Sequence, residues 1–273
     1  MPRKDSTCVT APQVEDAKYD IVGDVHGCMD ELQIAMTQAG YNIEEFCEQS
    51  ADPICASHPD GRMLIFAGDL TDRGPKSDQV LRLVIGMTQA GNALSVMGNH
   101  DWKLLRYLRG NNVVIANGLA STIEQLAPQG ESLREASLRL LEATPHQVRL
   151  PLPNDHPRAA DGYMTVVHGA APVHHQDEVT SNSFSRAIFG YPTGDATADG
   201  GLVRADWAAE YTGSRTVVHG HTPMAIAREK NGVICIDTGC VFGGHLTLYQ
   251  VDKDDMIVVP AAANYSGKNK NLP

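Results

Sequence analysis

The 273-residue chain carries 33 acidic and 22 basic side chains, a formal net charge of -11, with 42% hydrophobic residues and six cysteines. That size and apolar fraction suit one large domain with a sizeable core and exclude a disordered chain, and no run of eighteen apolar residues offers a membrane span. The acidic balance argues against extended nucleic acid or an anionic membrane as partner and favours small phosphorylated substrates.

Residues 1 to 18 read as a flexible lead-in with no apolar core of a secretion signal, 19 to 260 as one domain and 261 to 273 as a polar tail. Tyr19 to Gly23 is a strand that runs into Asp24-Val25-His26-Gly27-Cys28, and Asp30 to Ala39 has the spacing of a helix closed by Gly40. After an irregular loop from Tyr41 to Gly61, Met63 to Ala67 forms a strand ending in Gly68-Asp69-Leu70-Thr71-Asp72-Arg73-Gly74-Pro75. A helix from Pro75 to Ala90, a strand from Ala93 to Met97, the turn Gly98-Asn99-His100-Asp101 and a helix from Trp102 to Arg109 follow. Gly118 to Glu142 is helical, broken near Pro128 and Gly130, and is expected to cap the site. Tyr163 to Val167 is a strand running into His168, and residues 170 to 214 read as a long loop with short helices. Arg215 to Val218 is a strand ending at His219-Gly220-His221-Thr222-Pro223, and strands at 233–236, 246–251 and 256–259 close the domain. Strand and helix alternate, with polar turns at the strand ends, as in α/β proteins that keep their chemistry there.

Those turns collect Asp24, His26, Asp69, Asn99, His168 and His221. Mixed carboxylate, imidazole and amide donors form a ligand set for two divalent metals, suited to manganese, iron, nickel or zinc; the absence of thiolates argues against a structural zinc site. One carboxylate must bridge, and Asp69, on the central strand between the Asp24/His26 turn and Asn99, is the expected one. Two carboxylates and a guanidinium at the mouth of a buried strand are costly without a metal or phosphate, although the Asp69 turn alone would also read as a capped strand-to-helix junction.

The ordered stretches GDVHG at 23–27, GDLTDRG at 68–74, GNHD at 98–101, His168 and GHT at 220–222 resemble the calcineurin-like metallophosphoesterases of the phosphoprotein phosphatase superfamily. Within it the sequence is most similar to bacterial asymmetrical bis(5'-nucleosyl)-tetraphosphatases and to the phosphatase domain of bacterial polynucleotide kinase-phosphatases, over most of 19–260. The resemblance implies an α/β fold of four layers, two facing β-sheets flanked by helices. It implies one metal on Asp24, His26 and Asp69 and another on Asp69, Asn99, His168 and His221. His100 would be the general acid, oriented by Asp72; Arg73 would hold phosphoryl oxygens; and Asp237 matches an acidic position tied to activity in the polynucleotide-repair relatives. A water bridging two cations loses a proton near neutral pH and can attack phosphorus in line, so no phosphoenzyme is required.

The expected activity is therefore metal-dependent hydrolysis of dinucleoside polyphosphates such as diadenosine tetraphosphate, in a cytoplasmic enzyme whose cysteines are reduced. The alternatives are a serine, threonine or tyrosine protein phosphatase, a phosphoesterase for terminal or cyclic RNA phosphates, and a noncatalytic phosphate-binding scaffold. The chain departs from the family in reading His168-Gly169-Ala170 where relatives have HAG, and His219 where tyrosine is common; it has no GxxxxGK[ST] and so no kinase half. Arg186 and Arg204 are read as surface salt-bridge formers before second phosphate contacts, Cys240 as a packed thiol, and His174 and His175 as a solvated loop.

Overall fold

Alternate residues of the short strands bury on opposite faces. In Tyr19–Val22, Tyr19 and Ile21 enter one apolar core and Val22 another; in Met63–Phe66, Ile65 joins the first while Leu64 and Phe66 join the second. This alternation builds two facing sheets in the computed structural model, which describes residues 8–12, 18–47, 50–176, 180–196, 202–268 and 272.

The first sheet runs Asp255–Pro260, His245–Gln250, Tyr19–Val22, Met63–Phe66, Ala93–Ser95. Its last three strands are parallel, and His245–Gln250 pairs antiparallel with both its neighbours. The second sheet runs Cys8–Thr10, Gln147–Pro151, Tyr163–Val167, Thr216–His219, Val233–Cys235, Arg228–Lys230, with Tyr163–Val167, Thr216–His219 and Val233–Cys235 parallel. Ile21, Ile65 and Tyr249 of the first sheet meet Val148, Val166, Val218 and Ile234 of the second in the central core.

Helices Met29–Ala39 and Ser77–Gln89 cover the outer face of the first sheet through Leu32, Met36, Val80 and Leu83. They are the crossovers that parallel neighbours require. Helices Asn99–Leu108, Leu119–Leu126 and Gly130–Ala143 join Leu81 and Ile85 in a further cluster. On the outer face of the second sheet, Val167, Val217 and Val233 pack against Ala187, Ala208 and Tyr211. The four expected layers are present.

Several segments differ from the sequence reading. Cys8–Thr10 is not part of a loose lead-in but an edge strand paired parallel to Gln147–Pro151, and Ala11 is buried in the central core; the β-branched Val9 and Thr10 were the local signal. The start of the polar tail is also tied down, because the Ala262 N–H and the Tyr265 hydroxyl donate to Glu31 Oε1 at 2.9 and 2.8 Å. Residues 170 to 214 contain a full helix, Ser181–Phe189, capped by Thr180, and a hairpin of Pro192–Ala196 with Leu202–Arg204. The helix after Ala93–Ser95 begins at Asn99 rather than Trp102, so the GNHD turn forms its first turn.

Candidate active site

Six parallel strands, three from each sheet, deliver polar side chains from their carboxyl ends. Asp24 and His26 follow Tyr19–Val22, Asp69 follows Met63–Phe66, and Asn99 and His100 follow Ala93–Ser95; His168, His221 and Asp237 follow the three parallel strands of the second sheet. All of these except Asn99 are buried. The backbone is bent sharply to bring them together: His26, Asp69, Asp72, Arg73 and His221 have φ of 44°, 50°, 74°, 70° and 68°. Left-handed conformations are unfavourable for such residues and persist where surrounding contacts and function hold them. Gly220 permits a close approach, since a Cβ there would collide with the Asp24 carboxylate.

Asp69 stands between two histidines. Its Oδ2 lies 3.4 Å from His26 Nε2 and its Oδ1 lies 3.4 Å from His168 Nε2. Each imidazole is oriented from behind, with Nδ1 of His26 donating to the Thr71 carbonyl at 2.7 Å and Nδ1 of His168 to the Ala67 carbonyl at 2.9 Å. That backbone anchoring directs both Nε2 atoms inward, the arrangement that metal-binding histidines use. His221 Nδ1 and Asn99 Oδ1 approach His168 Nε2 at 3.0 and 3.2 Å, and His221 Nε2 is buried with no hydrogen-bond partner among the described residues. Ligand atoms of His26, Asp69 and His100, and separately of Asp69, His168 and His221, gather within 4.8 Å, so Asp69 is common to both groups. Converging nitrogen and oxygen donors with an orphaned buried nitrogen fit divalent cations of the manganese-to-zinc series.

Asp24 contacts the second group: both of its oxygens accept from the His221 N–H at 3.1 Å, and Oδ1 lies 3.9 Å from His168 Nδ1. The family resemblance implied a place for it with His26 and Asp69. Burial raises its carboxyl well above the usual range, and the neighbouring Asp237 adds to that. Burial also works against the Asp69 carboxylate, but His168, His100 and His26 outweigh it and hold Asp69 well below the usual range. At His168 burial opposes the charge, while Asp69 and Asp24 carry the imidazole up to about 10. Burial and the facing His168 push His221 well down, and burial and Arg73 do the same to His26. Crowded carboxylates and imidazoles of opposed preference are the environment a bound cation relieves.

Beside this cluster, His100 Nδ1 donates to Asp72 Oδ2 at 2.6 Å, and Asp72 Oδ1 accepts from the Thr122 hydroxyl at 2.6 Å. Arg73 reaches His26 Nε2 and His100 Nε2 at 2.5 and 2.8 Å, with its guanidinium over the Phe242 ring. The first-turn N–H of His100 donates to Asp69 Oδ1 at 2.9 Å, so the amino end of the helix faces the shared carboxylate. Asp237 faces Asp24 across the second sheet's end and accepts from the Gly239 N–H at 3.0 Å.

Two residues escaped the sequence reading and a third was misread. Thr122 lies fifty residues from Asp72, and no local pattern links them. Asp101 fastens two turns together, its oxygens accepting from the Leu70 and Gly98 N–H groups at 3.0 Å. Arg204 is no surface residue: it is half-buried, with the charges of Asp69, Asp237 and Asp24 acting on it. Arg186 instead stacks on Tyr191, 4.1 Å from the ring centre. Cys240 is a buried thiol, packed as expected; His174 and His175 stay outside both ligand groups, but they form a helical turn in which His175 is buried, not a solvated loop.

The calcineurin-like phosphoesterase model matches residues 17–258. The asymmetrical bis(5'-nucleosyl)-tetraphosphatase PrpE of Bacillus subtilis is 38% identical over 251 residues, covering 90% of this chain and 96% of its own. The protein of the same name from Halalkalibacterium halodurans is 37% identical over 260 residues, 94% and 99% of the two chains. Among solved structures, that of a candidate diadenosine tetraphosphatase aligns with a TM-score of 0.62 at 26% identity, covering 94% and 98% of the two chains. A serine/threonine phosphatase from Saccharomyces cerevisiae shares the fold at a TM-score of 0.56 and 13% identity, covering 93% of this chain and 82% of its own. The matched span begins just before the strand that delivers Asp24 and ends beyond the last strand to carry a site residue, so the chain is a member of the calcineurin-like phosphoesterase family.

Proposed function

We propose that the enzyme hydrolyses dinucleoside polyphosphates such as diadenosine tetraphosphate, with two divalent cations, manganese foremost, held by Asp24, His26, Asp69, Asn99, His168 and His221. The observation that carries this reading is Asp69, whose two oxygens face histidines of two separate donor groups at equal distance, 3.4 Å. The relatives named for this substrate align along nearly their whole length. Cations bound there would supply an activated water and neutralise charge on the phosphoryl oxygens.

The chain's own residues do the remainder. Arg73, a planar cation at the mouth of the donor cluster, binds phosphoryl oxygens, which draws it from the two histidine nitrogens it now contacts. His100 is then free at Nε2 to carry a proton to the leaving oxygen, while Asp72 holds its other nitrogen. Asp237 acts through Asp24 by fixing the turn opposite. Six cysteines free of disulfides fit a cytoplasmic setting, and no helix among the described residues is long and apolar enough to cross a membrane.

The test is hydrolysis by chelator-stripped protein resupplied with manganese, nickel, iron or zinc, offered diadenosine tetraphosphate, p-nitrophenyl phosphate, a phosphopeptide and a 2',3'-cyclic nucleotide. Fastest cleavage of the dinucleotide into ATP and AMP is expected. An inert dinucleotide beside a rapidly hydrolysed phosphopeptide or cyclic nucleotide would overturn the substrate assignment.

A further inference from the structure

Next to the metal-binding residues lies a cavity of about 300 Å³ lined by Pro172, Val173, His174, Tyr191, Trp207 and Glu210, among others. Its walls leave directly from the site. Pro172 to His174 follow His168 by a few residues, Tyr191 follows Gly190, which lies against His221, and Trp207 follows Arg204. The Ala205 N–H donates to the Tyr191 carbonyl at 2.9 Å, joining two of the walls. Arg204, on which the Asp69, Asp24 and Asp237 charges act, directly precedes Ala205, Asp206 and Trp207 of the cavity wall in the chain.

We propose that this cavity is a nucleobase subsite, which receives one base of the dinucleotide while the phosphate chain lies across Arg204 and the donor cluster. The proposal rests on the dinucleotide reading above. Only two tryptophans exist in the chain, and one of them lines this cavity together with Tyr191, Tyr211 and His174. Trp207 is half-buried and fixed by edge contact with Tyr211, ring centres 5.9 Å apart, and by His219 at 5.4 Å. A rigid aromatic face at the side of a phosphate site is what a base stacks on. The volume is at the small end of ligand pockets and suits a base with part of its ribose.

Two of the polar groups on the wall, Asp206 and Glu210, are acceptors only. Asp206 is already taken by Arg228 and Lys230, at 2.6 and 3.0 Å. Glu210 is exposed at the rim and makes no ion pair among the described residues. An uncommitted carboxylate beside a stacking face selects a base with an exocyclic amine, such as adenine, over its oxo counterpart. Anchoring one base also fixes which phosphorus reaches the cations, and this gives a physical origin for unequal cleavage of a symmetrical substrate.

The test compares diadenosine tetraphosphate, diinosine tetraphosphate, inorganic tetraphosphate and p-nitrophenyl phosphate on the manganese-loaded enzyme. Trp207→Leu should raise KM for diadenosine tetraphosphate about ten- to hundredfold, with p-nitrophenyl phosphate turnover unchanged, while Trp207→Phe keeps most of the affinity. Glu210→Leu should erase the preference for the diadenosine over the diinosine substrate, and so should Glu210→Gln, whose amide can donate to the oxo base as well as accept, while Glu210→Asp, an acceptor only, keeps part of it. Should Trp207→Leu fail to fold, AMP added to Trp102→Phe protein must quench the remaining Trp207 fluorescence, and inorganic phosphate must not. A dinucleotide that the unaltered enzyme does not cleave defeats the functional reading itself. A dinucleotide that is cleaved with a KM no lower than that of inorganic tetraphosphate defeats the subsite alone.

Discussion

Nδ1 of His100 lies 2.6 Å from Oδ2 of Asp72, and both side chains are buried. The second oxygen of Asp72 is held by Thr122, so the carboxylate cannot turn away from the imidazole. Asp72→Asn preserves the size and leaves one acceptor oxygen for His100 but removes the charge behind the ring. We expect kcat for phenyl phosphate to fall about a hundredfold or more. For p-nitrophenyl phosphate, whose leaving group needs little protonation, the fall should be much smaller. Equal losses on both esters would remove His100 from the role of acid.

Asp69 is the residue on which metal content should depend most. An amide in its place can still accept the His100 N–H, leaving the helix start intact, but it offers one oxygen where two now face His26 and His168. Asp69→Asn is expected to keep its fold by circular dichroism and to bind no more than one manganese per chain by atomic absorption. Activity should fall at least a thousandfold, the scale on which loss of central electrostatic stabilisation is felt. Two tightly held ions in this variant would show that Asp69 does not bridge.

The parts of this site legible in the sequence were those packed into a turn of a few residues. Asp24 with His26, Asp69 with Asp72 and Arg73, and Asn99 with His100 each follow a recognisable buried strand, and their residue types declare a metal and a phosphate. What could not be read was contact between turns. Thr122 reaches Asp72 only because the helix Leu119–Leu126 folds over that loop, and a threonine on a helix carries no mark of it. Arg204 looked like a solvated charge because the hairpin that aims it is short and irregular. Cys8–Thr10 escaped because three residues are too few to display the alternation that betrayed the longer strands.

His168 should release a proton when metal binds. In the protein without metal, Asp69 and Asp24 hold its imidazole protonated up to about 10 despite burial. A ligand nitrogen must give up that proton. Titration of the chelator-stripped protein with manganese at pH 7.5, in two buffers of different ionisation enthalpy, should show release of the His168 proton, one per chain, as the site that His168 lines is filled. His168→Gln should lower that number along with the affinity. Heats independent of the buffer would mean that His168 is already neutral.

His219 supplies a pH dependence of stability. It is buried against Trp207, donates from Nδ1 to the Gly220 carbonyl at 2.8 Å, and burial is the main force pushing it from 6.5 down to about 4. Its folded value lies below its unfolded one, so the unfolded chain binds the extra proton between those limits. Stability is therefore full above about pH 6.5, falls as pH drops towards 4, and loses no more from this group below that. The window corresponds to about 3 kcal/mol. Urea unfolding of the parent and of His219→Phe should differ little in pH response above 7. On acidification to pH 4.5 the balance should move towards the variant by most of that amount, since phenylalanine keeps the packing on Trp207 and has nothing to titrate. A difference between the two that holds constant from pH 7.5 to 4.5 would mean that His219 finds a partner for its charge inside the fold.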